Sequence, residues 1–123
     1  MRYLRIWTSD NGESHIEDLV PSYRDIENYA VGVPTVAISE SLKADVVHFV
    51  KFPSGWVGDW HPTPTRQKFI VVKGRLGGLA SDGAETLVEV GDCGLLEDTH
   101  GKGHKSWVIG DEDAVVVMVT LQK

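Results

Sequence analysis

The sequence predicts an all-β domain, either a sandwich or a barrel of short strands. From Thr35 onward the apolar residues come in short runs that are separated by Gly, Pro and Asp. β-Branched residues dominate these runs, which is typical of strands rather than helices. Many short strands with turn residues between them indicate a sandwich or a barrel. The predicted strands are Thr35 to Ser39, Asp45 to Phe52, Gln67 to Lys73, Arg75 to Ala80, Glu85 to Val90, Cys93 to Leu96, Lys105 to Ile109 and Ala114 to Leu121.

The segments between and before these strands carry weaker signals. Arg2 to Thr8 is predicted to be an edge strand, and Ser39 to Ala44 is the best candidate for a short helix. Asp82-Gly83 predicts a hairpin turn, because the primed turns need positive φ angles. Gly77 and Gly78 fall inside a predicted strand, where glycine usually marks a bulge, a barrel corner or a close backbone approach.

Two strands are apolar on both faces. They cover Phe69 to Val72 and Val115 to Val119. Strands of this kind need cover on both sides, from a second sheet or from a partner chain. Together with the edge-like Arg2 to Thr8 segment, they predict a homodimer.

Length and charge limit the domain organisation and the partners. A chain of 123 residues predicts one domain that needs no disulfide. We expect an N-terminal arm with edge strands over 1–34, where Asp10 to Glu27 holds six acids and one base, and a barrel over 35–123. Twelve Lys and Arg against eighteen Asp and Glu give a net charge of −6, the wrong sign for a nucleic-acid-binding protein.

No segment predicts a membrane span. The longest apolar run, Ala114 to Val119, has six residues, against the roughly 20 that a membrane helix needs. Met1 to Arg5 carries no apolar stretch of the kind found in signal peptides. We therefore expect a soluble, cytoplasmic protein without a membrane partner.

The stretch from Gly55 to Gly74 resembles the first sequence motif of the cupin superfamily. That motif places a Gly, two His, a Glu and a second Gly at fixed spacing, and this chain keeps the spacing throughout. Two of the three ligand positions differ, because Thr63 stands at the second His and Gln67 at the Glu, while His61 is retained.

Gly91-Asp92 and the following turn resemble the second cupin motif, which ends in a His. Twelve residues separate Gly91 from His104, so His104 fits the motif with a two-residue insertion, whereas His100 lies too close. The segments around both motifs also resemble a group of small single-domain cupins without an established function. In that group the second-motif His corresponds to His104.

The resemblance implies a cupin jelly-roll barrel, also called a double-stranded β-helix. It also implies a site in the barrel mouth where a divalent metal would be held by His61, Gln67 and His104. Two imidazoles and an amide favour Zn²⁺, Ni²⁺ or Fe²⁺ over Mg²⁺ and Ca²⁺. No organic cofactor is predicted. If the first motif is one regular strand, His61, Thr63 and Thr65 share a face, and Gln67 joins them.

The ligand-binding wall is predicted from polar, basic and aromatic residues near the two motifs. Arg66 or Arg75 would supply a counter-charge for a carboxylate, because Arg binds this group bidentately. The other candidates are Thr63, Trp60 and Trp107.

Two functions remain open from the sequence. The first is a metal-dependent enzyme of dioxygenase, isomerase or lyase type that acts on a small acid or sugar. The second is a non-catalytic module that binds a small ligand without metal. Each site residue also has a structural alternative, since His61 and Gln67 could be buried hydrogen-bonding groups and His104 a solvated loop residue.

Overall fold

The computed structural model describes residues 1–123, which form twelve strands and no helix. No helix in the chain is therefore long and apolar enough to cross a membrane. The strands are β1 (Tyr3–Thr8), β2 (Ser14–Asp18), β3 (Tyr23–Ile26), β4 (Val36–Ser39), β5 (Ala44–Phe52), β6 (Val57–His61), β7 (Gln67–Lys73), β8 (Arg75–Ala80), β9 (Glu85–Glu89), β10 (Cys93–Leu96), β11 (His104–Ile109) and β12 (Ala114–Leu121).

Two sheets enclose the core of the molecule. The larger has six strands in the order β2-β1-β10-β7-β12-β5, and the smaller has four in the order β6-β11-β8-β9. All neighbouring strands are antiparallel except β1 and β10. The core combines residues such as Leu4, Val71 and Val116 of the larger sheet with Leu76 and Val108 of the smaller. The all-β prediction is confirmed.

Three local expectations are wrong. Arg2 to Thr8 is not an edge strand, because β1 lies between β2 and β10 in the larger sheet. The segment from Ser39 to Ala44 is not helical, because β4 ends at Ser39 and β5 begins at Ala44. The acidic stretch from Asp10 to Glu27 is not wholly an exposed arm, because β2 pairs with β1 along its whole length. Ser14 is fully buried there, and its hydroxyl donates to the carbonyl of Gly103 at 2.7 Å.

The part of the chain that does project is the hairpin of β3 and β4. These strands form a separate two-stranded sheet and pair only with each other. Tyr23, Tyr29 and Val31 are exposed on or near this hairpin. An isolated two-stranded hairpin has marginal stability in water, so this arm lacks the cover that the sheets of the barrel have.

The outer face of the larger sheet is also apolar. Phe69 and Val71 point into the core, whereas Ile70 and Val72, which alternate with them along β7, stay exposed. Phe49 on β5 is 72% exposed, and β5 is an edge strand that pairs with β12 alone. The predicted cover on both sides is therefore present on one side only within this chain.

The paired glycines of β8 mark a close approach. A Cβ on Gly77 would lie 2.3 Å from the indole of Trp107, which stands on the neighbouring β11. A Cβ on Gly78 points to the opposite face and would meet the methyl group of Thr86 at 3.2 Å. Trp107 therefore lies flat over Gly77 on the outside of the smaller sheet.

This contact predicts different costs for neighbouring substitutions. Gly77→Ala forces the Trp107 indole to move and should lower the free energy of unfolding by about 1–3 kcal/mol. Gly78→Ala is the matched control and should change it by less than about 1 kcal/mol. Urea unfolding measures both, and equal values for the two variants would contradict the packing described here.

Candidate functional site

A cavity of about 290 Å³ lies between the two sheets. Its apolar wall consists of side chains that also belong to the core, among them Leu4, Ile6, Phe69, Leu76, Val88 and Met118. Its polar groups come from His61, Thr63, Gln67, Thr86, His104 and Ser106. The cavity is thus a gap in the hydrophobic core with a small number of hydrogen-bonding groups.

His104 is the most buried ionisable side chain in this wall. It opens β11, is 6% exposed, and its Nδ1 lies 2.6 Å from Oδ2 of the fully buried Asp98. An ionised carboxylate only accepts hydrogen bonds, so Nδ1 carries the hydrogen. The other ring nitrogen, Nε2, is left free for a ligand.

Asp98 is held from a second side by Thr63. The Thr63 hydroxyl donates to Oδ1 of Asp98 at 2.8 Å, and the Thr63 amide donates to the Asp98 carbonyl at 2.9 Å. Both oxygens of the carboxylate are therefore satisfied by protein donors. A buried carboxylate needs this complete set of partners, because an unpaired charge in the interior is costly.

His61 lies beside His104 at the more exposed end of the cavity. The two residues are direct partners in the β6–β11 register, and their ring centroids are 5.0 Å apart. His61 Nδ1 lies 2.6 Å from the carbonyl of Asp59, which only accepts, so this nitrogen also carries the hydrogen. Each of the two imidazoles is thereby left with a free Nε2.

Gly103 makes this pairing possible. It precedes His104 with a φ of 70°, and a Cβ at this position would lie 2.1 Å from the carbonyl carbon of His61. Any other residue would push β11 away from β6. The glycine turn of the second motif therefore sets the distance between the two histidines.

The first motif is not one regular strand, and the expected common face of its side chains is wrong in part. β6 ends at His61, and the chain bends at Pro64 and Thr65 before β7 begins at Gln67. Thr63 still reaches the cavity wall, as does Gln67 from β7, whereas Thr65 is exposed outside it.

The predicted basic residues lie away from the cavity. Arg66 precedes the inward-facing Gln67 and points to the other side of the strand, where its guanidinium binds Glu97. Arg5 binds the same carboxylate at 2.5 Å. Burial raises the pKa of Glu97, but the hydrogen bonds from Arg66 and Arg5 outweigh it and hold that pKa below its usual value. Arg75 is exposed on β8, next to the inward-facing Leu76.

The two predicted tryptophans also face outward. Trp60 alternates with His61 on β6, is 43% exposed, and lies under the ammonium group of Lys105 at 5.8 Å. Trp107 covers Gly77 on the outer face. Of the site residues predicted from the sequence, the structure brings His61, Thr63, Gln67 and His104 together around one cavity.

The sequence-based reasoning missed Asp98, Trp56 and Ser106. Asp98 stands two residues after Leu96, whose side chain lines the cavity, so a period of two would have placed it on the inner side. Trp56 lines the cavity and packs against Phe52 with 4.7 Å between the ring centroids. Ser106 shares the inner face of β11 with His104. His100, the alternative to His104, is exposed.

Comparison with known proteins bears on the fold. No protein-family model matches the chain, and no curated protein matches its sequence. Among solved structures it is similar to a sugar phosphate isomerase of the cupin superfamily from Silicibacter pomeroyi, with 23% identity and a TM-score of 0.50. The match covers 63% of this chain and 50% of that one, so the chain spans half of the isomerase's length. This protein has the cupin fold.

Further solved structures of cupin domains are similar over different parts of the chain. A cupin-2 domain containing protein from Shewanella frigidimarina has 19% identity and a TM-score of 0.47, over 62% of this chain and 69% of that one. The Cnp3 cupin domain from Schizosaccharomyces pombe has 11% identity and a TM-score of 0.49, over 84% of each chain.

The donor set of this protein falls short of a tight metal site. His61 and His104 each offer a free Nε2, and Gln67 adds an amide oxygen, which is a weak donor. No group of three His, Cys, Asp or Glu side chains is placed to hold a metal ion together. Since protein zinc sites use at least three imidazole, thiolate or carboxylate ligands, the residues present do not fit a firmly held divalent ion.

The Asp98 interactions predict a graded loss of stability. Asp98→Ala leaves the Thr63 hydroxyl and the His104 Nδ1–H without their acceptor, so it should lower the free energy of unfolding by about 2–5 kcal/mol. Thr63→Val removes only one donor and should cost about 1–2 kcal/mol. Urea denaturation measures both, and an Asp98→Ala variant as stable as the unmodified protein would contradict the assignment.

Proposed function

We propose that this cupin binds a small organic molecule in its cavity and that His104 exchanges a proton with the bound molecule. The observation that carries the proposal is the buried pair of Asp98 and His104 at the wall of an apolar cavity. The reaction class that fits is a proton transfer of isomerase or lyase type.

The cavity has the general character of a ligand site. Such sites are concave and mostly apolar, with a few polar groups that fix the ligand's orientation. Here ten of the nineteen lining residues are hydrophobic, and the polar ones include both imidazoles. A ligand in this space would therefore lie against apolar side chains over much of its surface.

The role of His104 as proton carrier follows from how its ring is held. Asp98 fixes the ring through Nδ1, which leaves Nε2 to accept a proton from the ligand. The negative charge of Asp98 then faces the imidazolium that forms, as in other His–carboxylate pairs. His61 lies beside His104, but its Nε2 also lacks a hydrogen, so the proton that His104 takes is returned to the ligand from Nε2 of His104 itself.

A proton-exchange experiment tests this function. The protein is dialysed against a defined mixture of small metabolites, and the retained molecules are identified by mass spectrometry. Transfer to D₂O should then introduce deuterium at a carbon of the retained compound. His104→Gln should retain the compound and slow the deuterium uptake by about 100-fold or more.

His100→Gln is the matched control, because His100 is exposed and lies outside the cavity wall. Its uptake of deuterium should equal that of the unmodified protein. Retention of a compound without any deuterium uptake would overturn the proposal and assign the cavity to a non-catalytic binding module.

Metal analysis distinguishes this proposal from metal-dependent catalysis. Protein purified without a metal-affinity tag should contain well under one equivalent of Zn, Ni or Fe, because only two strong donors face the cavity. Elemental analysis by mass spectrometry measures this. One full equivalent that is lost in both His61→Ala and His104→Ala would contradict proton exchange by the histidines alone.

We also propose that a second copy of this chain covers the outer face of the larger sheet. β5 is an open edge that carries exposed Val47 and Phe49, and an edge of this kind can pair antiparallel with its own copy about a twofold axis. The projecting β3–β4 hairpin borders the same face, since Tyr23 and Ile70 line one cleft. A symmetric dimer would cover both features.

Light scattering at micromolar concentration tests the dimer. The unmodified protein should have twice the monomer mass, and Phe49→Asp should shift it to the monomer because the carboxylate would be buried in the interface. Val57→Asp, at a 68% exposed position of the smaller sheet, is the control and should stay dimeric. A monomer mass for the unmodified protein would overturn this proposal.

A further inference from the structure

We infer that the cavity takes an uncharged carbonyl or hydroxyl compound with a short apolar body. This inference rests on the proposed function and narrows its ligand class. It departs from the sequence-based expectation of a small acid or sugar, and three properties of the cavity carry it: the charge of its wall, the separation of its polar and apolar parts, and its size.

The cavity wall offers no counter-charge for an anion. None of its nineteen residues is Lys, Arg, Asp or Glu, so the imidazoles are its only ionisable groups. His104 already faces the carboxylate of Asp98, whose negative charge would repel a second anion nearby. Burying an unpaired carboxylate or phosphate in such a space carries a large desolvation cost.

The basic residues nearest the cavity are occupied elsewhere. Arg66 and Arg5 share the carboxylate of Glu97 outside the cavity wall. Arg2 donates to the hydroxyl of Thr86, a residue of the cavity wall, and its guanidinium is also paired with Asp18. Turning any of these groups toward a ligand would break an existing ion pair.

The hydrogen-bonding groups of the wall are few and partly occupied. His61 and His104 are adjacent across β6 and β11, and Gln67 opens β7. The hydroxyls of Thr63 and Thr86 are already engaged by Asp98 and Arg2. A sugar carries a hydroxyl on nearly every carbon and would leave several unpaired against the apolar wall. The two free Nε2 atoms only accept, so a single carbonyl or hydroxyl oxygen would take its hydrogen bond from the Gln67 amide, which has no partner in the protein.

The volume sets the size of the apolar body. An engineered apolar cavity of about 150 Å³ holds one benzene molecule. The 290 Å³ available here is about twice that, which suits a ligand of roughly a dozen non-hydrogen atoms. A ring or short chain would lie against residues such as Leu76, Val88 and Met118, with its oxygen function toward the polar part of the wall.

Three probes test the inference. 4-Phenylbutan-2-one and 3-phenylpropanoate match in size and differ in charge, and ribose 5-phosphate represents a phosphorylated sugar. Isothermal titration calorimetry should give a Kd for the ketone at least about tenfold below that for the carboxylate. Ribose 5-phosphate should give no heat of binding. NMR titration of the ketone should shift the ring resonances of His61 and His104.

Cavity variants locate the binding. Ser106→Leu fills the space beside His104 and should abolish the ketone's binding, whereas Ser106→Ala leaves the space open and should retain it. If Ser106→Leu does not fold, the NMR titration of the unmodified protein shows whether the ketone binds beside His104, because binding there shifts the ring resonances of that residue. Equal or tighter binding of either anion, or no shift of His104 with the ketone, overturns the inference.

The inference and the proposed function fail separately. A charged metabolite that is retained and takes up deuterium would overturn the uncharged ligand class and support proton exchange. An uncharged metabolite that is retained without deuterium uptake would support the uncharged ligand class and overturn proton exchange.

Discussion

The buried carboxylate of Asp98 is the constraint on which the site depends. Its two oxygens bind Thr63, which follows β6, and His104, which begins β11. Asp98 itself follows β10 of the larger sheet. Its carboxylate therefore connects the end of β10 to the segment after β6 and to the start of β11 in the smaller sheet. The cavity persists beside a packed core because these polar groups satisfy each other at its wall and need no ligand to do so.

Nine of the twelve strands and the general position of the site could be predicted from the sequence, because both depend on local patterns, whereas β2, β3 and β6 were not predicted. Runs of β-branched residues gave the strand positions, and the motif spacing brought His61, Gln67 and His104 to one cavity. Asp98 escaped prediction because its burial depends on Thr63, which is 35 residues away. The strand period alone would have placed Asp98 on the inner side, but it gives no signal of the partner that makes burial of the carboxylate possible.

The charge of the site could not be predicted for a similar reason. Arg66 stands beside Gln67 in the sequence, but strand alternation and the partner Glu97 direct it to the opposite face. The exposure predicted for the segment that forms β2 was wrong for the same reason. Its acidic composition indicates exposure, and the local sequence gives no sign that β2 pairs with β1. In both cases a contact distant in sequence overrode the local preference.

The contact of Gly103 with the His61–Pro62 peptide has a consequence for how this protein tolerates change. The distance between the two imidazoles is set by the contact of the Gly103 backbone with the His61–Pro62 backbone. It does not depend on the packing of the core side chains. Substitutions in the apolar wall therefore reshape the space for the ligand's body while the histidines keep their separation. The proposed proton exchange and the fit of the proposed ligand could thus be altered independently, the second by redesigning the apolar wall alone.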